Sequence, residues 1–231
     1  MDDKRFIELA QELRELKRMM ENLKIRESGA TNSWTPIIVS AAYVSATSFT
    51  LAGDFTAYFK IGVKVRLTNT TVKYGYILSS SYSAPNTTVN LVANDSYSLA
   101  NAAITNVSIS YASPPDFPPY LSWTPTITPS SGAFTTVSGT LHFYMTGPML
   151  FWNMSIVITN KGTGIGWIYA TTPTPIGGVW VGTGRENTTT GDLLQAVTYT
   201  GLIRIVDYAG NYVIGDGQTY YLSGMYRAAT S

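Results

Sequence analysis

The sequence predicts a mainly β protein, in which an N-terminal coiled-coil helix precedes two antiparallel β-sandwich or β-barrel domains. Three observations predict this fold class. Residues 1–28 hold 14 of the 29 Asp, Glu, Lys and Arg residues of the 231-residue chain. Beyond Ala30, apolar residues alternate with polar ones at the period of two that is typical of strands. A proline-rich segment, residues 113–119, divides this β part in two.

The N-terminal segment, residues 1–28, has the apolar pattern of a coiled coil. Six apolar residues at alternating spacings of three and four form a heptad seam at positions a and d: Phe6, Leu9, Leu13, Leu16, Met20 and Leu23. Glu12 at position g and Lys17 at the next position e have the offset at which opposite charges meet in a parallel coiled coil. An amphipathic helix packed on its own chain would show the same pattern. We expect this segment to serve oligomerisation and attachment, although the seam does not choose between two and three strands.

Short strands separated by turn residues are predicted through the rest of the chain. Runs rich in β-branched and aromatic residues predict strands at 150–158, 197–205 and 219–226, among others. The predicted domains are 33–112 and 120–231, and residues 113–119, with four prolines in seven residues, form a semi-rigid linker between them.

The same four residues, Ser-Trp-Thr-Pro, open both predicted β domains. They occur at 33–36 and again at 122–125. We expect Trp34 and Trp123 each to close the base of its own domain. The rest of the two domains does not align by eye, so no duplication is inferred.

The composition argues against several classes of function. The formal net charge of +1 gives no basic surface for nucleic acid. The chain has no cysteine and one histidine, which excludes disulfides, thiol catalysis and metal sites rich in these residues. No apolar run approaches the ~20 residues that span a bilayer, and no secretory signal is visible. We therefore expect no nucleic-acid partner, no membrane insertion and no cofactor.

Catalytic and metal sites have little support in the sequence. Glycoside hydrolysis needs two carboxyl groups about 5 to 10 Å apart. Glu186 and Asp192 are the pair of carboxylates that lies close in sequence beside a plausible open loop. Asp207, Asn211 and Asp216 offer oxygen ligands for calcium, but Asp, Asn and Gly are also the ordinary residues of turns. We expect neither an enzyme nor a bound metal.

The favoured ligand-binding segment is a polar, glycine-flanked loop predicted over residues 182–192. An aromatic ring, a bidentate donor and an acceptor lie close together there, a combination that suits the stacking and hydrogen bonding of a sugar. The predicted ligand-binding residues are Trp180, Arg185, Glu186, Asn187 and Asp192. The alternative is a solvated hairpin tip, which needs no such combination.

Two parts of the chain resemble known phage proteins. Residues 122–173, which begin Ser-Trp-Thr-Pro-Thr-Ile-Thr, and the closing residues 222–227, Leu-Ser-Gly-Met-Tyr-Arg, resemble the C-terminal β domain of tailed-phage tail fibre and receptor-binding proteins. Residues 49–56, 62–66 and 80–85 resemble a domain common in phage and prophage structural proteins. The resemblance is one of pattern and covers nearly the whole chain past Ser33.

The resemblance implies a homotrimeric fibre on the virion surface, assembled in the host cytoplasm. Its N-terminal helix would attach to a phage baseplate, tail or head protein, and its C-terminal domain would bind a bacterial surface glycan or protein during adsorption. A head fibre or capsid decoration protein is the alternative. A polysaccharide depolymerase is less favoured, because the β part contains few carboxylates.

Overall fold

The computed structural model describes residue 17 and residues 33–92, 94–199 and 201–229. The six residues of the predicted coiled-coil seam lie outside these ranges, so the N-terminal helix stays a prediction. The described residues form two antiparallel sheets, which confirms that the protein is mainly β. Within these ranges, no helix is long and apolar enough to cross a membrane.

The first sheet has seven strands. They are β1 (Thr35–Pro36), β2 (Ala41–Ser45), β3 (Ser48–Ala52), β4 (Lys64–Asn69), β5 (Thr71–Ser83), β6 (Asn86–Leu91) and β7 (Thr105–Ser110). Their order in the sheet is β1-β7-β4-β5-β6-β3-β2. Strand β5 pairs with β4 through its first half and with β6 through its second half, and alternate residues of these strands, such as Val65, Leu67 and Val89, are buried in one apolar core.

The second sheet has nine strands. They are β8 (Leu121–Trp123), β9 (Ile127–Ser131), β10 (Thr136–Thr146), β11 (Met149–Asn160), β12 (Ile165–Ala170), β13 (Val181–Glu186), β14 (Leu193–Tyr199), β15 (Leu202–Asp207) and β16 (Gln218–Arg227). Their order is β8-β10-β11-β16-β13-β14-β15-β12-β9. A Cβ added at Gly139 of β10 would lie 3.2 Å from Ile127 of β9, so the two ends of the sheet approach each other around the core. This curvature fits the predicted sandwich or barrel class.

Residues 197–205 are predicted as one strand, but the structure divides them between two strands. Strand β14 ends at Tyr199 and β15 begins at Leu202, and these two residues pair across a tight hairpin. Gly201 has a φ of +82°, a backbone conformation that glycine adopts without the steric cost of a Cβ. The β-branched residues on both sides hid this turn in the sequence.

The proline-rich segment, residues 113–119, is fastened to the first sheet. It contains no strand, as its composition predicts. Phe117 is buried, and Asp116 accepts hydrogen bonds from Nε1 of Trp34 at 2.6 Å and from Nη1 of Arg66 at 2.8 Å. The segment is therefore held at Asp116 and Phe117.

Trp34 packs in a core that both halves of the chain share. It belongs to one apolar cluster with Phe117, with Tyr76 of the first sheet and with Leu121 and Leu141 of the second. The expectation that Trp34 closes its own domain alone is therefore too narrow. The boundaries predicted for the two domains and the linker stay predictions, while the strands themselves fall within 35–110 and 121–227.

Candidate functional site

The predicted loop 182–192 is half strand. Residues up to Glu186 belong to β13, which pairs with β14 and β16, and the connection to β14 spans residues 187–192. One of the glycines that indicated a loop, Gly182, is required by packing, as is Gly224 on β16. A Cβ at Gly182 would lie 3.1 Å from Cζ2 of Trp152, and a Cβ at Gly224 would lie 2.7 Å from the same atom. Glycine at both positions lets the Trp152 indole lie directly against the backbones of β13 and β16.

Glu186 ends β13 on its inner side, where its carboxylate organises the connection 187–192. The residue is 1% exposed. Six donors converge on its two oxygens: the N–H groups of Thr188, Thr189, Thr190 and Gly191, at 2.6 to 3.0 Å, and the hydroxyl groups of Thr188 and Thr190, at 2.6 and 3.1 Å. The donors of its own loop already occupy both oxygens, which argues against Glu186 as an acceptor for a ligand.

The electrostatics of Glu186 agree with this structural role. Burial acts to raise the pKa of its carboxyl group. The hydrogen bonds from the Thr188 hydroxyl and from the N–H groups of Gly191, Thr188 and Thr190 outweigh burial, and they hold this pKa well below its ordinary value of 4.5. The ionised carboxylate is therefore the form around which the loop folds.

The other predicted ligand-binding residues do not meet at one point. Trp180 packs against the core cluster, and its Nε1 donates to the Gly177 carbonyl at 3.1 Å. Asn187 and Asp192 are exposed at the two ends of the connection. Arg185 lies on the outer face of β13, which is the opposite side from Glu186. Of the five residues, Arg185 alone lines the groove described next.

Two rows of outward-facing side chains cross four adjacent strands, β10, β11, β16 and β13. The first row consists of direct cross-strand partners: His142, Asn153, Ser223 and Thr183. The second row runs parallel to the first and consists of Thr140, Ser155, Tyr221 and Arg185. Since neighbouring strands lie about 4.8 Å apart, each row is about 14 Å long. We call these residues the polar rows.

A groove of about 670 Å³ follows the polar rows and adjoins a second depression of about 400 Å³. We call the groove and the adjoining depression together the outer groove. Aromatic rings lie at its borders. Tyr144 and Phe151 stand at one side, with ring centroids 4.9 Å apart and planes 7° from parallel. Tyr208 lies at the other side, and Tyr221, 53% exposed, rises between them.

His142 contributes an imidazole ring to the first row, and its ring nitrogens can donate or accept hydrogen bonds. It is half-buried, and Leu141 and Phe143 on either side of it are buried, as the alternation in the sequence predicts. Its Nδ1 lies 3.2 Å from Oγ of Ser122, and its ring centroid lies 4.5 Å from that of Tyr120. These two contacts fix the orientation of the imidazole at the edge of the outer groove.

The outer groove is suited to binding a hydroxyl-rich ligand. Its polar rows offer hydroxyl and amide groups that both donate and accept, and its rings offer apolar faces, the combination that binds a sugar. Among the described residues that line it, there is no carboxylate. The carboxylates of Glu186 and Asp192 are not paired across it, because the donors of the connection 187–192 occupy Glu186 on the inner side of β13.

The residues considered for calcium serve turns instead. Asp207 accepts hydrogen bonds from the backbone N–H of Asn211 at 2.6 Å and from its Nδ2 at 2.8 Å. Asp216 accepts a hydrogen bond from the backbone N–H of Lys161 at 2.6 Å. Within the described ranges, no group of three or more His, Asp or Glu residues is placed to hold a metal ion.

A second aromatic cluster lies on the outer side of β12, β14 and β15, but its ring faces are occupied. The guanidinium of Arg204 lies 4.9 Å from the ring centroid of Trp167 and 5.2 Å from that of Tyr199. Tyr169 stacks on Tyr199 with centroids 5.9 Å apart. Because these rings already pack on one another and on Arg204, the outer groove is the better candidate for stacking a ligand.

Of the polar rows, the predicted ligand-binding residues include Arg185 alone. A local signal was present: within the predicted strands 150–158 and 219–226, Asn153, Ser155, Tyr221 and Ser223 are all outward-facing positions. What the sequence lacked was the order of the strands, which joins these positions to β10 and β13.

Another groove, of about 1020 Å³, lies beside β1 and β7 in the first sheet. Residues 36–41 line it, immediately after residue 33, where the described range begins. No candidate site is assigned to it.

Known proteins supply no independent guide to the outer groove. The chain matches no family model, no curated protein and no solved structure, so the assignment of this site rests on its geometry.

Proposed function

We propose that this protein is a receptor-binding fibre protein on the surface of a tailed phage, and that it attaches to bacteria by binding a surface glycan in the outer groove. The observation that carries the proposal is the pair of polar rows between aromatic walls, on the exposed face of a rigid sheet. A sugar presents hydroxyl groups at its edge and C–H groups on its face, and the outer groove offers partners for both.

The proposal includes the mounting of the fibre. We propose that the predicted heptad seam from Phe6 to Leu23, which lies outside the described residues, joins three chains, and that this end attaches the fibre to a baseplate, tail or head protein. The second sheet is then the end that meets the cell. A homotrimer has a mass of about 75 kDa, three times the 25.1 kDa of one chain, and light scattering on the purified protein measures it.

Adsorption of purified protein to host cells tests the proposed function. The test variant replaces two members of the first polar row, Asn153→Ala with Thr183→Ala. Each loses a hydrogen-bonding group in the middle of the groove, so we expect cell binding to weaken about tenfold or more.

The matched control is Ser138→Ala with Thr159→Ala. These residues are exposed on β10 and β11 and do not line the outer groove. We expect it to bind cells like the wild type. Equal binding by the test variant and the wild type would contradict the proposal. Gold-labelled antibody on phage particles locates the protein: label at the tail supports the attachment role, and label confined to the head favours a head fibre.

A further inference from the structure

We propose that the outer groove is specific for an acidic saccharide, whose carboxylate or phosphate binds the guanidinium of Arg185. This inference rests on the proposed function and narrows it to a class of ligand. The sugar hydroxyls bind along the polar rows, and the anionic group lies at the β13 end of the second row.

The charges around the groove favour an anion. Arg185 lines the outer groove, and no carboxylate is among the described residues that line it. Among the described residues, the ion pair that forms is between Arg66 and Asp116, at the first sheet. No carboxylate of the described residues therefore lies within ion-pair distance of Arg185. A cation in a concave site without a countercharge attracts an anionic ligand.

The carboxylates near Arg185 either have hydrogen-bond partners of their own or do not line the groove. Glu186 points to the inner side of β13 and is held by six donors of the connection 187–192. Asp207, close to the Tyr208 end of the groove, has both oxygens on Asn211. The exposed residue Asp192 does not line the groove.

The connection 187–192 positions the guanidinium of Arg185. A Cβ added at Gly191 would lie 3.1 Å from Nη2 of Arg185 and 3.8 Å from its Nε, so the guanidinium lies against the glycine. Gly191 has a φ of +72°, which favours glycine, and its N–H donates to Glu186 at 3.0 Å. The buried carboxylate therefore holds the loop that supports the exposed cation, and an arginine held in this way loses less side-chain entropy on binding.

The neighbours of Arg185 complete a subsite for one acidic sugar unit. Tyr221 is its direct partner on β16, and Ser155 follows Tyr221 in the same row on β11. The arginine fork matches the two oxygens of a carboxylate or phosphate, while the tyrosine ring and the serine hydroxyl serve the sugar face and a hydroxyl.

Three oligosaccharides that differ at one position test the inference: oligogalacturonate, its carboxyl-reduced form oligogalactose, and oligogalactose phosphorylated at carbon 6. Titration calorimetry with the full chain measures each affinity. We expect the wild type to bind at least one of the two acidic forms about tenfold or more tightly than oligogalactose, because a charge-assisted pair is added. The acidic form that binds distinguishes a carboxylate from a phosphate.

Arg185→Gln removes the fork and is expected to reduce the preference for the acidic form to about twofold or less, with an unchanged Tm. Arg185→Lys keeps the charge without the fork, and we expect an intermediate preference. Arg227→Gln is the matched control, because Arg227 is exposed on β16 and does not line the groove. It is expected to retain the full preference.

Equal affinity of the wild type for all three saccharides, or no affinity for any of them, would overturn the inference. So would a preference that Arg185→Gln leaves unchanged. The proposed function fails by a different result, namely unchanged cell adsorption by the Asn153→Ala, Thr183→Ala variant, so the two failures are distinguishable.

Discussion

Arg185 and Glu186 are adjacent in β13, yet they lie in opposite environments. Successive side chains of a strand point to opposite faces of the sheet, so Arg185 is exposed in the outer groove and Glu186 is 1% exposed beneath it. Glu186 is surrounded by donors from its own loop, whereas Arg185 has an open groove in front of it. The difference teaches that a cluster of polar residues does not define a binding site until each residue's own partners are known.

The same contrast extends along the neighbouring strand β16. On the inner face, Gly224 leaves room for the Trp152 indole, and the packing is complete. On the outer face, the adjacent Ser223 lies in the groove with space above it. Substitutions on the two faces should therefore have different consequences. Substitutions on the inner face should change stability, and substitutions on the outer face should change ligand binding.

The largest expected effect is that of Glu186→Gln. The neutral amide leaves donors arranged around a missing charge, so we expect the free energy of unfolding to fall by about 2–4 kcal/mol. Urea denaturation measures it. Arg185→Gln, one residue away on the outer face, should change the free energy of unfolding by less than about 0.5 kcal/mol. Similar losses in the two variants would remove the distinction between the faces.

Gly224→Val should have the next largest effect. Its Cβ would lie 2.7 Å from Cζ2 of Trp152, and overpacking of a filled core costs about 1–3 kcal/mol. Thermal denaturation followed by circular dichroism measures the loss. The control, Ser223→Val, adds a branched side chain on the open face and should leave the Tm nearly unchanged. An unchanged Tm in Gly224→Val would show that the indole moves aside.

The pH dependence of stability should reveal Glu186 in the wild type. The pKa of its carboxyl group is lower in the folded state than the ordinary value of 4.5, so its stabilising contribution is present above that value and is lost as the pH falls. Asp116 and Asp207 have pKa values lowered in the same direction, so the comparison is made with Glu186→Gln. We expect the Tm of the wild type to fall more steeply than that of the variant between about pH 5 and about pH 3. Parallel curves would contradict this assignment.

Asp116→Asn should have the smallest effect, because this carboxylate is far more exposed than Glu186. Its side chain is 39% exposed, and ion pairs with that much solvent contribute about 0–1 kcal/mol. We expect a loss of stability within that range, together with faster proteolytic cleavage within residues 113–119, since Trp34 and Arg66 hold the segment through Asp116. Limited proteolysis followed by mass spectrometry measures the cleavage rate. A loss of stability as large as that of Glu186→Gln would contradict the expectation that the more exposed carboxylate contributes less.

Parts of the candidate site were open to prediction. Alternation in the sequence is enough to place His142 on the face opposite Leu141 and Phe143, because strand periodicity is a local property. Two predictions were wrong: residues 197–205 were predicted as one strand and belong to a hairpin, and residues 182–186 were predicted as loop and belong to strand β13. In both cases glycine was ambiguous in the sequence: Gly201 makes a turn, whereas Gly182 makes room for a tryptophan that lies elsewhere in the chain.

The sequence by itself determined that this protein is mainly β and that nearly half of its charged residues, 14 of 29, lie in the first 28 residues, since composition and period are read within one segment. The tertiary structure alone decided that His142, Asn153, Ser223 and Thr183 form one row. A β-ladder joins residues that are far apart in the chain, and the register of such pairs depends on long-range packing rather than on local sequence. The same packing turned Glu186 inward to its donors and left Arg185 facing the outer groove.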